Sequence, residues 1–266
     1  MALIIQQYNY MKEGRYYITW INDLHHLLMN FLGLESMPGL IKGQSFNAPA
    51  WFLTVIFICY ILLYIISRYL DREKVIYVSF LLMILGVFLV YDENMISFPM
   101  LNSGFGRGYL SFFWGVILAA FFERLDEHSI KMLGGGVAAF LIIIWGYAFS
   151  VNLLGNINTT FTLCVCTGIV ILIKTSRIVS NILNIKLLQI LGKASFSIYL
   201  WNFPTDMMFD LINRRERCFD YTRISFWILH FLLSIGLALF SHYVIEPRLN
   251  MCFERIVEKY IFQKEN

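Results

Sequence analysis

Long apolar runs separated by short polar gaps dominate the pattern of this chain. Seven of the runs approach the roughly 20 residues that a helix needs to cross a bilayer core of about 30 Å. An eighth, at 16–34, is apolar on balance but carries several polar side chains, so it either spans the membrane or lies in its interface. The pattern therefore predicts spanning helices at 51–67, 75–91, 108–122, 132–151, 159–173, 187–203 and 224–245.

Composition supports the same class of protein. Of the 266 residues, 58% are hydrophobic and only 15% are charged, and the mean hydropathy is +0.64. Soluble domains carry a larger charged fraction and few long uncharged runs. We therefore expect an all-α fold, a polytopic transmembrane helical bundle of about seven to eight spans, forming a single membrane-embedded domain over residues 1–266 within the lipid bilayer.

Basic residues fall in the gaps between the runs and predict an orientation. Gaps 68–74, 123–131, 174–186 and 246–266 hold twelve Lys and Arg, whereas the opposite gaps hold six. The positive-inside rule then predicts a multi-pass plasma (inner) membrane protein with a cytoplasmic C-terminus. Four of those six, Arg214, Arg215, Arg217 and Arg223, lie in one predicted external loop and are an exception. The net charge of +3 is too small to favour a nucleic acid partner.

The predicted sixth span carries a line of polar side chains. Ser195, Tyr199, Asn202 and Asp206 are separated by four, three and four residues, which places them on one helix face. Pro204 cannot donate its backbone N–H and usually kinks or ends a helix, which would leave backbone carbonyls near Asn202 open. The stripe predicts either a polar site or hydrogen bonding between neighbouring helices.

Arg107 precedes the predicted third span, with Ser111 and Trp114 on the same face. The planar guanidinium suits phosphate or carboxylate groups, including those of a nucleotide-bearing donor. The alternative is a surface arginine that extends to the membrane boundary.

Histidines and cysteines give weaker signals. His25 and His26 are adjacent and point about 100° apart, so they cannot serve one site on a regular helix, but either one is a candidate general base. In the last predicted span, His230, Ser234 and Ser241 share a face that favours packing and bonding between helices. The five cysteines lack zinc-type spacing, so no metal site is predicted.

Four segments in order resemble the acyltransferase-3 family, membrane enzymes that transfer acyl groups to sugars and other envelope acceptors. The stretch LGKASFSIYLWNFP resembles the family's late signature. NAPAWFLTVIFICYILLY, with Trp51 and Tyr60, resembles its Trp-led span, and SHYVIEPRL, with Glu246 and Pro247, resembles its closing span. RGYLSFFWGVILA resembles its Arg-containing span, with Arg107, Phe112 or Phe113, and Gly115. The resemblance covers residues 24–249.

The resemblance implies an enzyme, an acyltransferase that moves an acyl group, acetyl by expectation, from acyl-CoA to a hydroxyl of a cell-envelope polysaccharide or glycolipid. Acyl-CoA is then a co-substrate, with no bound cofactor. Arg107 is our candidate for recognition of the donor's phosphate or carboxyl groups. Ser195, Tyr199 and Asn202 are candidates for the acyl or acceptor pocket.

The sequence departs from the family in two ways. The family's essential His and nearby Arg lie in spans that precede those matched here, so we expect an N-terminally short member. The general base of this chain is then unknown, and His25 and His26 are the candidates to replace the missing His. Many relatives also carry His where this chain has Asn202, and an amide cannot take up a proton at neutral pH. Two alternatives remain: a non-catalytic membrane subunit or truncated remnant that binds or passes a glycan lipid with a membrane protein partner, and a secondary transporter.

Overall fold

The computed structural model describes most of the chain and is largely helical in that part. The described residues are 7–8, 10–12, 14, 24–34, 48–91, 98, 100–125, 127–150, 159, 161–216 and 218–261. Within these residues the only β-structure is an isolated bridge between Phe98 and Leu101. The predicted all-α class is confirmed.

The chain divides into two compact units. The first comprises Asp23–Gln44 and Ala50–Ile185. Its helices are α1 (Leu24–Phe31), α2 (Trp51–Tyr69), α3 (Arg72–Tyr91), α4 (Ser103–Arg124), α5 (Glu127–Ser150), a π-helical segment (Phe161–Cys166), α6 (Thr167–Thr175) and α7 (Arg177–Leu183).

The second unit comprises Met1–Asn22, Ser45–Pro49 and Lys186–Asn266. Its helices are α8 (Lys186–Lys193), α9 (Ser195–Glu216), α10 (Ile224–Phe240), a second π-helical segment (Ser241–Ile245) and α11 (Glu246–Ile261). A 3-10 turn at Ala48–Ala50 precedes α2. The single domain over 1–266 stays a prediction.

Four described helices are long and apolar enough to cross a membrane. They are α2, α3, α4 and the continuous helix Ile224–Arg255, which joins α10 to α11. Phe161–Thr175 and Arg177–Leu183 together form a fifth candidate, bent by 98°, and α5 carries a shorter apolar stretch at Gly136–Tyr147. The described residues thus give four to five candidate spans, so the count of seven to eight is not confirmed.

The predicted sixth span differs from the structure at both ends. Residues 187–203 are divided between α8 and α9, which meet at Ala194, and α9 continues through Pro204 to Glu216. The predicted span ends near 203, whereas the helix continues through Pro204. Proline has no backbone N–H to donate to the carbonyl of Leu200, four residues earlier. The hydroxyl of the adjacent buried Thr205 donates to the next carbonyl, that of Trp201, at 2.8 Å.

Glycines allow the helices of the first unit to pack closely. A Cβ atom on Gly86 of α3 would lie 2.4 Å from the backbone nitrogen of Leu110 in α4. A Cβ on Gly106 of α4 would lie 2.8 Å from Cβ of Leu89 in α3. Small residues at such contacts are typical of membrane helix pairs. The core around this contact contains Val55, Cys59, Met83, Leu89, Phe105, Tyr109, Leu110 and Phe113.

A polar turn connects α9 and α10 outside the spanning segments. The carboxylate of Asp220 accepts from the hydroxyl of Thr222 at 2.6 Å, from its backbone N–H at 3.0 Å and from Arg223 Nε at 3.1 Å. These donors, Thr222 first, hold the pKa of Asp220 below its usual range. Partial burial raises the pKa of the neighbouring Tyr221. One of the four arginines that depart from the charge pattern is therefore paired locally.

The glycine contact between α3 and α4 yields a stability prediction. The methyl group added by Gly106→Ala would lie too close to Cβ of Leu89, so Leu89 must move. We expect this variant to lower the free energy of unfolding by about 1–3 kcal/mol, because overpacking a filled contact strains it. The measurement is thermal unfolding in detergent. Gly115→Ala on the same helix is the control, because no atom lies within 4 Å of its Cβ position. Equal melting temperatures for the two variants would contradict the prediction.

Candidate functional site

Arg107 lies in the second turn of α4, close to a well-defined helix start. The side chain of Asn102 caps that start by accepting from the backbone N–H of Phe105 at 3.0 Å. Gly106 and Gly108, on either side of Arg107, are buried, whereas Arg107 itself is exposed. Its guanidinium makes no hydrogen bond or ion pair with any other residue in the described part of the chain.

A cavity of about 270 Å³ opens beside Arg107 between α2 and α4. The two helices approach each other closely at this cavity, since a Cβ on Gly108 would lie 2.0 Å from Cγ1 of Val55, and both residues line it. Arg107 and Ser111 contribute a guanidinium and a hydroxyl to a lining that is otherwise largely apolar. The lining residues are Trp51, Phe52, Val55, Ile56, Cys59, Arg107, Gly108, Ser111 and Phe112.

The cavity brings together two segments that the sequence analysis had identified separately. Trp51 begins α2 and Arg107 lies on α4, and both line the cavity. Ser111 shares the face of Arg107, as its spacing predicts. An apolar cavity lined by a guanidinium that pairs with no described residue can hold a short apolar group attached to an anionic one.

Trp114 contacts α6 and not the cavity that Arg107 and Ser111 line, although its spacing places it on their helix face. Its indole Nε1–H donates to the hydroxyl of Thr167 in α6 at 2.8 Å, and it does not line the cavity. Ser111 Oγ lies 3.5 Å from Oγ1 of Thr162 in the π-helical segment that precedes α6. These two contacts join α4 to the segment Phe161–Thr175 of the same unit.

The predicted polar stripe of α9 is exposed along its length. Ser195, Tyr199, Asn202 and Asp206 are all classed as exposed, which agrees with a common face. The phenol of Tyr199 donates to the carbonyl of Pro49 at 2.6 Å. Ser195, Tyr199 and Asn202 thus lie together on one helix of the second unit. Arg107 lines a cavity of the first unit. The role of all four in a site stays a prediction.

The opposite face of α9 carries a polar contact that the sequence analysis missed. Ser197 is buried, and its hydroxyl donates to Oε1 of Glu246 at 2.5 Å. Oε2 of the same carboxylate accepts from Nδ1–H of His242 at 2.9 Å. The spacing of His242 and Glu246, four residues apart, is the signal that could have found this pair.

The other histidines have distinct surroundings. His25 is exposed and His26 is buried, and their rings meet edge to face at 5.7 Å, so the two point apart as expected. His230 and Ser234 are both buried on α10, which agrees with their predicted common face. The ring of His230 packs among Phe209, Phe226 and Trp227, with its Nε2 3.9 Å from Oδ1 of Asp206.

No metal centre is formed by the described residues. No group of three or more His, Cys, Asp or Glu side chains converges within them. The cysteines are all free, with Cys59 buried and Cys218 and Cys252 exposed.

Comparison with known protein families agrees with the resemblance of the four segments. The model of the acyltransferase-3 family, described as an acyltransferase domain, matches residues 7–245. The match covers most of the chain, and the protein belongs to this family of membrane acyltransferases. Neither the curated proteins nor the solved structures contain a match.

The contact between Ser197 and Glu246 predicts a difference between two serines of one helix. Ser197→Ala removes a donor from a carboxylate in a partly buried setting, and we expect a loss of about 1–3 kcal/mol in unfolding free energy. Ser195→Ala, two residues away on the exposed face, is expected to change stability little. Thermal unfolding of both variants in the same detergent provides the measurement. A Ser197→Ala protein as stable as Ser195→Ala would show that the bond contributes nothing.

Proposed function

We propose that this member of the acyltransferase-3 family transfers an acyl group, acetyl in our proposal, from acyl-CoA to a hydroxyl of a cell-envelope polysaccharide or glycolipid. One observation carries the proposal. A guanidinium with no partner among the described residues lines a largely apolar cavity, and both are built from segments that carry the family resemblance.

Arg107 is the proposed contact for the donor. An acyl-CoA presents phosphates, and a guanidinium binds phosphate oxygens through two parallel hydrogen bonds. Because Arg107 has no partner among the described residues, its donors are available without breaking an existing ion pair.

The cavity between α2 and α4 is the proposed acyl pocket. Its walls are largely apolar, so a short acyl chain would lose little hydration on entering. Ser111 is the hydroxyl in that wall and is a candidate donor to the thioester carbonyl. Its contact with Thr162 at 3.5 Å is long enough to be exchanged for such a bond.

The exposed face of α9 is the proposed acceptor surface. Hydroxyl, phenol and amide groups both donate and accept, which matches the hydroxyls of a sugar. Ser195, Tyr199 and Asn202 supply these groups in one line. We infer that this face binds the glycan or glycolipid, and that the chain acts without a bound cofactor.

The proposal includes an orientation in the plasma membrane. With seven to eight spans, the twelve basic residues of one set of gaps lie in the cytoplasm together with the C-terminus.

Removal of Arg107 is the direct test of donor binding. In membranes of the source cells that carry the protein, Arg107→Ala is expected to raise the KM for acetyl-CoA by tenfold or more, since a charged hydrogen bond contributes about 1.5–3 kcal/mol. The measurement is transfer of radiolabelled acetyl groups from acetyl-CoA to the envelope glycan fraction. Arg107→Lys should retain part of the affinity, because it keeps the charge but loses the fork.

Arg124→Ala is the matched control for this test. It removes an exposed arginine from the other end of the same helix and should leave the KM unchanged. An unchanged KM in Arg107→Ala would exclude Arg107 from the donor site. No acyl transfer by the wild-type protein would favour the alternative function, a non-catalytic membrane subunit that binds a glycan lipid beside another membrane protein.

The size of the cavity predicts a preference among donors. We expect kcat/KM to be higher for acetyl-CoA than for palmitoyl-CoA, because a long chain exceeds the space beside Val55 and Cys59. Phe112→Ala enlarges the cavity and should narrow the difference. Equal kcat/KM values for the two donors would show that the acyl chain lies elsewhere.

A further inference from the structure

We propose that the first unit binds an anionic phospholipid in a groove between α4 and α6, where Lys174 contacts the phosphate of the headgroup. The α4–α6 groove is a cavity of about 380 Å³, and it shares no lining residue with the cavity beside Arg107. The lipid is a second ligand, and its binding does not depend on the proposed transfer reaction.

The walls of the α4–α6 groove are apolar along most of its length. Gly115 and Ala119 lie about one turn apart on α4, and both are exposed. A Cβ on Gly115 would meet nothing within 4 Å in the described part of the chain. The small side chains leave room along α4 for a hydrocarbon chain, which gains dispersion contacts with the walls. The lining residues are Gly115, Leu118, Ala119, Phe122, Glu123, Val170 and Lys174.

The charged residues of the groove lie together at one end of it. Trp114 of α4 donates to Thr167 of α6 at 2.8 Å, so the two helices are in contact just before the groove begins. Glu123 follows Trp114 by nine residues and Lys174 follows Thr167 by seven. Both charged residues therefore lie about two helical turns beyond that bond, at a similar level. The groove is thus apolar near Trp114 and charged at its far end.

Lys174 supplies a positive charge that no described residue neutralises. Its side chain is exposed, and its ammonium forms no ion pair within the part of the chain that the structure describes. Glu123 already has a cation, because Arg72 of α3 donates to its carboxylate. A headgroup ammonium would therefore compete with Arg72, whereas a phosphate can bind Lys174 without displacing an existing partner. Lysine binds phosphate as a point charge with three donors.

The chain after Lys174 indicates that this end of the groove lies at the membrane boundary. The helix Phe161–Thr175 is followed by α7, and the two are bent by 98°. Ile178 and Ile182, four residues apart on α7, are both exposed, so α7 presents an apolar face. A short helix of this kind lies in the interfacial plane of a bilayer. The headgroup phosphate of a phospholipid lies at that depth as well.

The predicted orientation favours an anionic lipid over a zwitterionic one. Lys174 begins one of the basic gaps that the positive-inside rule places in the cytoplasm. The cytoplasmic leaflet carries anionic lipids, and basic pockets between spanning helices on that side bind their headgroups. The ligand class is therefore an anionic glycerophospholipid, with its headgroup on Lys174 and an acyl chain along Gly115 and Ala119.

A cavity of the second unit shows why the free cation matters. It has a volume of about 420 Å³ and is lined by Arg223. The guanidinium of Arg223 donates to Asp220 at 3.1 Å, so an anion would have to compete with that carboxylate. The α4–α6 groove combines an apolar wall with a cation that has no such competitor among the described residues.

Replacement of Lys174 tests the headgroup contact in the full chain. The purified protein in detergent is titrated with dioleoylphosphatidylglycerol, and the lipid-bound fraction is read from native mass spectra. Lys174→Ala is expected to weaken binding about fivefold or more, which is the contribution of one lysine near an anionic lipid surface. Lys174→Arg should retain most of the affinity. Lys74→Ala is the matched control, because Lys74 lies outside the groove and pairs with Asp71.

Replacement of Ala119 tests the acyl-chain contact without changing any charge. The indole of Ala119→Trp would occupy the groove, and it would not enter the core because Ala119 is exposed. We expect this variant also to weaken phosphatidylglycerol binding about fivefold or more. Phe121→Trp is its control, since Phe121 is exposed on the same helix and does not line the groove. Unchanged thermal unfolding without lipid shows that each variant keeps its fold.

Three outcomes would overturn the lipid site. The first is equal phosphatidylglycerol affinity in Lys174→Ala and Lys74→Ala. The second is equal affinity of the wild-type protein for dioleoylphosphatidylglycerol and for dioleoylphosphatidylcholine or dioleoylphosphatidylethanolamine. The third is weaker binding of free CoA by Lys174→Ala with phosphatidylglycerol binding unchanged, which would assign the lysine to the phosphates of a nucleotide. None of these measurements requires acyl transfer, so their failure is distinct from failure of the proposed function.

Discussion

The first unit depends on the close approach of three helices through glycines of α4. In lipid there is no hydrophobic force between helices, so contact distance and shape decide which helices associate. Gly106 admits α3 and Gly108 admits α2, since a Cβ on either glycine would overlap a neighbouring side chain. Arg107 lies between these two contacts and is therefore directed away from both. The contact between Gly108 and Val55 and the guanidinium of Arg107 thus border the same cavity.

Polar side chains in these apolar helices fall into two groups. Trp114 with Thr167, Thr205 with Trp201 and Ser197 with Glu246 form hydrogen bonds inside their unit. Such pairs offset the cost of removing polar groups from water. Others keep hydrogen-bonding groups that no described residue uses, namely the buried hydroxyls of Ser79 and Ser234, Nε2 of His230, and the guanidinium of Arg107. Arg107 differs from the buried groups because it is exposed, so its donors are accessible to a ligand.

Sequence reasoning recovered what depends on a single helix. Hydropathy located α2, α3, α4 and α10, and the 100° rotation per residue placed Ser111 beside Arg107 and the α9 stripe on one face. It failed where contacts join separate helices. The bond from Ser197 to Glu246 connects residues 49 positions apart, and no periodicity in either segment records it. The continuation of α9 through Pro204 is also outside what the local pattern records, since proline usually kinks or ends a helix.

The contacts between helices give a physical meaning to the four segments that resemble the family. Each segment is short, and each was recognised by its residues alone. In the structure they act in pairs within each unit. The Trp51 segment and the Arg107 segment form the two walls of one cavity. The LGKASFSIYLWNFP segment and the closing Glu-Pro segment are joined by the bond between Ser197 and Glu246. Residues that must meet across a helix interface constrain both helices at once, so the four segments correspond to two contacts rather than to four independent features.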